Sequence, residues 1–184
     1  MNPRELLPLL RRGDRAAFER FYRATKGALL AYALSWTGGR RSEAEDLVQE
    51  AYLGFLRNLE SVRESADPLP YLLTAVKNRA RDLARAFSPR TTSGGEPLAE
   101  EHGPEFRTPL EHVLDEERRA AVIAALGRLP EAQAEAVRLH SLVGLGWEQT
   151  GEQLGCPPAT ARTRYRDGLA KLQRWLGRFV HEQA

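Results

Sequence analysis

Cysteine is almost missing from this 184-residue chain: the one thiol, Cys156, leaves no intramolecular disulfide to form. The four histidines, His102, His112, His140 and His181, are scattered and match no zinc-ligand spacing with it, so neither a metal nor a cofactor is expected. No apolar run approaches the length of a membrane span, which argues against direct membrane insertion. The opening Met-Asn-Pro-Arg-Glu is too charged for a signal peptide, and a cytoplasmic location is expected. Strand-like alternation is lacking throughout, so the fold class expected is all-α. No nucleophile stands with a base and an orienting group, which speaks against an enzyme and a small-molecule substrate.

What is present is charge, unevenly placed. The formal net charge is only +2, yet it conceals three blocks. Residues 71–90 carry five bases (Lys77, Arg79, Arg81, Arg85, Arg90) against Asp82 alone. Residues 91–117 carry eight acids against Arg107. Residues 157–178 carry six bases (Arg162, Arg164, Arg166, Lys171, Arg174, Arg178) against Asp167. Two basic segments flanking an acidic one suggest two contacts with a polyanion and a connector that stays off it.

Apolar spacing and breakers divide the chain in the same places. Leu6, Leu7, Leu9 and Leu10 make a short amphipathic helix over 3–12; Asp14 is a good N-cap for a helix that reaches Thr37-Gly38-Gly39 and is weakened by Gly27. Ser42 with Glu45 has capping-box spacing, predicting a helix from about Glu43 to Asn58. Asp46 and Glu50 lie one turn apart on it with Gln49 beside them, as a solvated acidic half favoured by the helix dipole or as paired carboxylates for acid–base chemistry, for which no nucleophile or metal ligand stands nearby. A polar loop, residues 59–70, precedes a helix from Tyr71 to about Phe87 with Leu72, Leu73, Val76, Ala80 and Leu83 on one side and Lys77, Arg81 and Arg85 on another. From Ser88 to Pro109 the composition is that of an acidic, flexible linker. The domains expected are therefore 1–88 and 110–184, two small helical units joined by 89–109.

In the second unit a helix from Leu110 to Gly127 is followed by one with Pro130 at its first position. Trp147 then opens a short helix, Leu154-Gly155-Cys156-Pro157-Pro158 breaks it, and Ala161, Tyr165, Leu169, Leu172 and Leu176 trace the apolar stripe of another. Two helices around a Gly-containing turn, the second basic at its start, form a helix-turn-helix pattern, in which the second helix enters the DNA major groove. A solvated basic face on a helical hairpin would read the same way from sequence. Trp147 is expected as a core anchor beneath the turn.

Together these motifs resemble a known family. Gly13-Asp14-x-x-Ala17-Phe18, Ala44-Glu45-Asp46-Leu47-Val48-Gln49-Glu50 and Asn78-x-x-x-Asp82-x-x-Arg85 are similar to the N-terminal domain of the extracytoplasmic-function (ECF) group of sigma-70 factors. Leu129-Pro130, Gly144-Leu145-x-Trp147-x-Gln149, Leu154-Gly155, Thr160-x-Arg162-x-Arg164 and Lys171-Leu172 resemble its C-terminal domain more loosely. The resemblance implies a factor that binds core RNA polymerase and opens promoter DNA. Asp46, Gln49 and Glu50 would face the polymerase β′ clamp. Tyr71, Lys77, Asn78, Arg81 and Arg85 would bind the −10 strand, with a flipped-out base in the loop over 60–70. Thr160, Arg162, Thr163, Arg164 and Arg166 would contact the −35 duplex, and the second domain would also meet the β flap. An anti-sigma partner is implied, and the acidic linker would run through basic polymerase channels. The chain departs from the family pattern at Thr150, Gly151, Ala159, Ala161, Asp167 and Gly168: Gly151 and Gly168 are expected to soften their helices, and Asp167 to repel phosphate unless paired with Arg164 or Arg166. Two rivals remain: a helix-turn-helix regulator that acts without polymerase, and a degenerate sigma-like adaptor that lacks −35 recognition.

Overall fold

A computed structural model describes residues 3–62, 67–87 and 116–181, and every described element is a helix or a turn. The first half contains α1 (Pro3–Arg11), α2 (Arg15–Trp36), α3 (Arg41–Arg57), a single 3₁₀ turn (Leu59–Ser61) and α4 (Pro68–Phe87). The second contains α5 (Glu116–Gly127), α6 (Glu131–Val137) running into a π-helical turn (Arg138–Leu142), α7 (Trp147–Leu154) and α8 (Pro158–His181). The expected linker, and the part of the α5 helix expected over 110–115, lie outside the described residues.

Local chemistry explains most boundaries. The Asp14 carboxylate accepts the Ala17 backbone N–H at 3.0 Å, an N-cap worth about 1 kcal/mol, and α2 then runs unbroken through Gly27. Three expected starts are corrected. Ser42 lies inside α3, whose N-cap is Arg40 with no side-chain cap; the first turn is held instead by Arg40 pairing with Glu43 and by Arg41 with Glu45 at 2.9 Å. Helix α4 begins at Pro68 rather than Tyr71, because Pro68 suits a first turn and the Asp67 carboxylate accepts the Leu69 N–H at 3.1 Å. Pro130 is the N-cap of α6, with extended backbone (ψ 136°), and Glu131 is its first helical residue.

The first half encloses a core of Leu6, Leu7, Phe21, Leu29, Leu30, Leu47, Phe55, Leu72, Leu73 and Val76. Each such side chain contributes about 1.5–3 kcal/mol when fully buried. Aromatic pairs tie α2 to α3, with Phe21–Phe55 centroids 5.4 Å apart and Tyr22–Tyr52 5.0 Å apart. The Tyr52 hydroxyl lies 2.6 Å from Thr25 Oγ1, and burial pushes the phenol above its ordinary range. The second half has a smaller core of Ala125, Leu126, Leu129, Ala134, Val137 and Leu172. Leu139 and Leu145, from the second half, are buried in the first half's core. The two halves are thus packed together, Leu139 entering from the π-helical turn closed by Val143 N–H to Arg138 carbonyl at 3.1 Å.

Candidate nucleic-acid interface

Helix α3 turns Leu47, Val48, Ala51 and Phe55 inward. The helical period then places Asp46, Gln49 and Glu50 outward, and all three are exposed. Leu53 and Leu56 share that outward side and are 50% and 39% exposed, the exposed large apolar residues of the described chain. The sequence signal for them was available: Leu53 breaks the 47-48-51-55 stripe. An acidic strip with two bare leucines is a mixed surface suited to a protein partner rather than to DNA. Glu50 is partly engaged, receiving Arg79 Nε at 2.6 Å.

Helix α4 buries Leu72, Leu73, Val76 and Ala80. Lys77, Asn78, Arg81 and Arg85 fall on the opposite side, where Asn78 and Arg85 are exposed and Arg85 Nη1 lies 3.3 Å from Asp82 Oδ1. Tyr71 is placed differently. Its ring packs on Phe55 with centroids 5.7 Å apart, and its hydroxyl accepts from Asn58 Nδ2 at 3.3 Å and donates to the Gly54 carbonyl at 3.4 Å. It therefore braces the α3–α4 junction beside the loop. Lys77 and Arg81 do not face solvent alone: Lys77 Nζ stands 3.0 Å from Glu135 Oε1, and Arg81 Nη2 pairs with Glu131 Oε1.

The helix-turn-helix is formed by α7 and α8. Gly155 takes φ +61° and ends α7, the left-handed position the Gly-Cys-Pro-Pro sequence demanded. Gly151 and Gly168, expected to soften their helices, instead mark helix crossings. A Cβ at Gly151 would stand 2.7 Å from the Cys156 carbonyl oxygen, and one at Gly168 would stand 3.1 Å from Val137 Cγ2. Thr150 is fully buried where a branched apolar residue is usual, and its hydroxyl is satisfied by the Gly146 carbonyl at 2.8 Å.

On α8, Arg162, Thr163 and Arg166 are exposed on one side, while Thr160 and Arg164 are half-buried toward the turn. The Arg164 guanidinium lies 3.5 Å from Cys156 Sγ. Asp167 is paired with Arg166 at 3.6 Å, which offsets part of its repulsion toward phosphate. Trp147 is half-buried rather than a core anchor. It stacks on His140 with centroids 3.7 Å apart, meets Tyr165 edge-on at 5.3 Å, and carries the Arg162 guanidinium 5.2 Å above its ring. His140, for which the sequence offers no signal, holds this cluster through its Nδ1 at 2.8 Å from the Leu145 carbonyl. The cluster holds the guanidinium of the exposed Arg162 over an aromatic face. Among the described residues no group of His, Cys, Asp and Glu could hold a metal ion, and no helix is long and apolar enough to cross a membrane.

Known proteins match in the same two blocks. The family described as Sigma-70 region 2 matches residues 21–88, and that described as Sigma-70, region 4 matches residues 119–172. The ECF RNA polymerase sigma factor SigK of Mycobacterium sp. (strain JLS) is 33% identical over 144 residues, covering 73% of this chain and 70% of that protein. SigK of Mycolicibacterium vanbaalenii is 31% identical over 181 residues, covering 94% and 88%. Among solved structures, CnrH, seen in complex with the cytosolic domain of CnrY, has a TM-score of 0.71 at 22% identity over 95% of this chain and 97% of that one. The sigma factor RpoE of Bartonella quintana, seen with the anti-sigma factor NepR, has a TM-score of 0.62 at 23% identity over 87% and 96%. These two likenesses show the fold.

Proposed function

The chain belongs to the ECF RNA polymerase sigma factors of the sigma-70 family, and from that premise we propose how its surfaces divide the work of starting transcription. The outward side of α3, with Asp46, Gln49, Glu50, Leu53 and Leu56, is the clamp-docking surface. The carboxylates steer it to a basic partner and the leucines supply the apolar contact. The side of α4 that carries Lys77, Asn78, Arg81 and Arg85 holds the −10 strand, the cations on phosphates and Asn78 on a base edge. Tyr71, bound to α3, shapes the adjoining loop rather than stacking on the strand. Helix α8 enters the major groove at −35, with Arg162 and Arg166 outward, Thr163 beside them, and Thr160 and Arg164 at the turn. The second half also meets the β flap, and the acidic segment over 89–109 joins the two units. An anti-sigma factor is a further partner, to be tested by co-purification.

The observation that carries this division is the presence of two unlike surfaces on one small half. The side of α3 joins carboxylates to bare leucines, whereas the side of α4 is cationic. A regulator acting without polymerase has no use for the first. The test is in vitro transcription with core polymerase on a promoter library. Wild type is expected to start transcripts at a defined sequence class, and the Asp46→Lys/Glu50→Lys variant to lose them through weaker association with core. Transcription by that variant at the wild-type level refutes the clamp assignment.

A further inference from the structure

Four residues of α4 that make polar contacts with the second half fall in one line. Gln153 Nε2 of α7 donates to the Pro70 carbonyl and to Thr74 Oγ1, both at 3.0 Å. Glu135 of α6 meets Lys77 at 3.0 Å, and Glu131, one turn earlier, meets Arg81. Positions 70, 74, 77 and 81 are spaced four, three and four, so they form a single strip along α4. Asn78 and Arg85, on the neighbouring strip, stay exposed. The second half thus meets two of the cations assigned to the −10 strand with carboxylates, Lys77 largely covered and Arg81 still partly open to solvent.

We propose that Glu131 and Glu135 act as phosphate surrogates: in the free protein they occupy Lys77 and Arg81, and this intramolecular clasp must open before α4 can take a promoter strand. The proposal rests on the assignment of α4 as the −10 surface.

Glu135 is the centre of the clasp. Its side chain is only 3% exposed, and three groups converge on it: Lys77, the Tyr32 hydroxyl donating to Oε1 at 2.6 Å, and Arg138 Nη1 at 3.7 Å from Oε2. Arg138 fixes where the carboxylate docks. Its Nε donates to Ser35 Oγ at 3.0 Å, and its guanidinium lies 4.3 Å from the centre of the Trp36 ring at the end of α2. Burial lowers the Arg138 pKa, opposed by Glu135, and burial followed by the Glu135 charge raises that of Tyr32. Glu135 Oε2 itself receives no hydrogen bond. A buried carboxylate that is incompletely satisfied recovers little more than its desolvation cost. The network therefore defines the docking position more than it strengthens it, and the apolar hold across the same junction is that of Leu139 and Leu145. Glu131 and Arg81 are exposed enough for solvent to screen them, so that pair is the one a competing phosphate displaces first. A strand that binds only the open form pays for opening, and its apparent affinity falls in proportion to the open fraction.

The full chain tests this, with fluorescent oligothymidylate as probe at low salt. Glu131→Gln is a surface change that leaves folding intact, and it is expected to tighten binding several-fold. Glu131→Gln/Glu135→Gln is expected to tighten it by about tenfold or more and to enlarge the radius of gyration in small-angle scattering. In a Cys156→Ser background, Thr74→Cys/Gln153→Cys bridged by a short bis-maleimide is expected to bind more weakly than the same protein unbridged. Equal affinity across these forms, including no binding by any of them, with an unchanged radius of gyration, overturns the clasp. The assignment of α4 fails separately, if holoenzyme assembled with the Lys77→Ala/Arg81→Ala variant transcribes normally.

Discussion

At Gly151 a methyl group would stand 2.7 Å from a backbone oxygen that cannot swing aside, so Gly151→Ala is expected to cost about 1–3 kcal/mol by thermal melting. Gly27, in the middle of α2 with nothing within 4 Å of its would-be Cβ, is the control: Gly27→Ala is expected to stabilise by about 0.5–1 kcal/mol. The two glycines look alike in sequence, because propensity counts each as a weak point and only the distance between helices separates them. The same is true of Thr150, a departure from the family pattern that proves harmless once its hydroxyl has found the Gly146 carbonyl. Tyr32, which no sequence pattern singles out, donates to a carboxylate 103 residues away. Tyr32→Phe should cost about 1.5–3 kcal/mol in denaturant unfolding, since it strips a hydrogen bond from a buried charged group. A loss below about 0.5 kcal/mol would mean that the Glu135 network is not formed in solution.

For single helices, period and caps were largely legible. Asp14 as a cap, the stop at Thr37-Gly38-Gly39, the left-handed Gly155 and the stripe of α8 all follow from residue chemistry, and the structure has them. The starts of α3 and α4 were not legible, because salt bridges at Arg40 and Arg41 and a proline-compatible first turn replaced the hydroxyl cap and the loop that the sequence suggested. The −35 candidates divide by placement in a way that spacing alone could not show. Arg162 and Arg166 point outward, whereas Arg164 lies against Cys156. Arg162→Ala is accordingly expected to weaken −35 duplex binding by about 1–3 kcal/mol and to relax specificity at one base pair, measured by competition with single-base variants. If all single-base variants lose affinity equally, Arg162 contacts phosphate instead.

For the molecule as a whole, composition announced two basic units, but not that they dock. The docking depends on Glu131 and Glu135 meeting Lys77 and Arg81 across 50 and 58 residues of sequence, a pairing no local pattern encodes. It has a pH signature. The hydrogen bond from Arg81 holds the Glu131 carboxyl below its ordinary range. A lowered pKa means the pair supports the docked form fully above the ordinary glutamate value of about 4.3, and that this support is lost as pH falls further. Solvent screening limits it to about 1 kcal/mol. The several-fold difference in oligothymidylate affinity between wild type and Glu131→Gln should therefore be present at neutral pH and vanish in acid. A difference that persists unchanged below pH 4 would assign the effect to something other than that ion pair.

The division of labour between the halves is tested most directly by placing a photoreactive amino acid at Asn78, and separately at Arg162, in the holoenzyme bound to a promoter it transcribes, and mapping the crosslinks on both strands. The predicted result is that Asn78 crosslinks to the non-template strand of the −10 element and Arg162 to the −35 duplex upstream of it. Crosslinks from both positions to one element, or from neither to DNA, would contradict it.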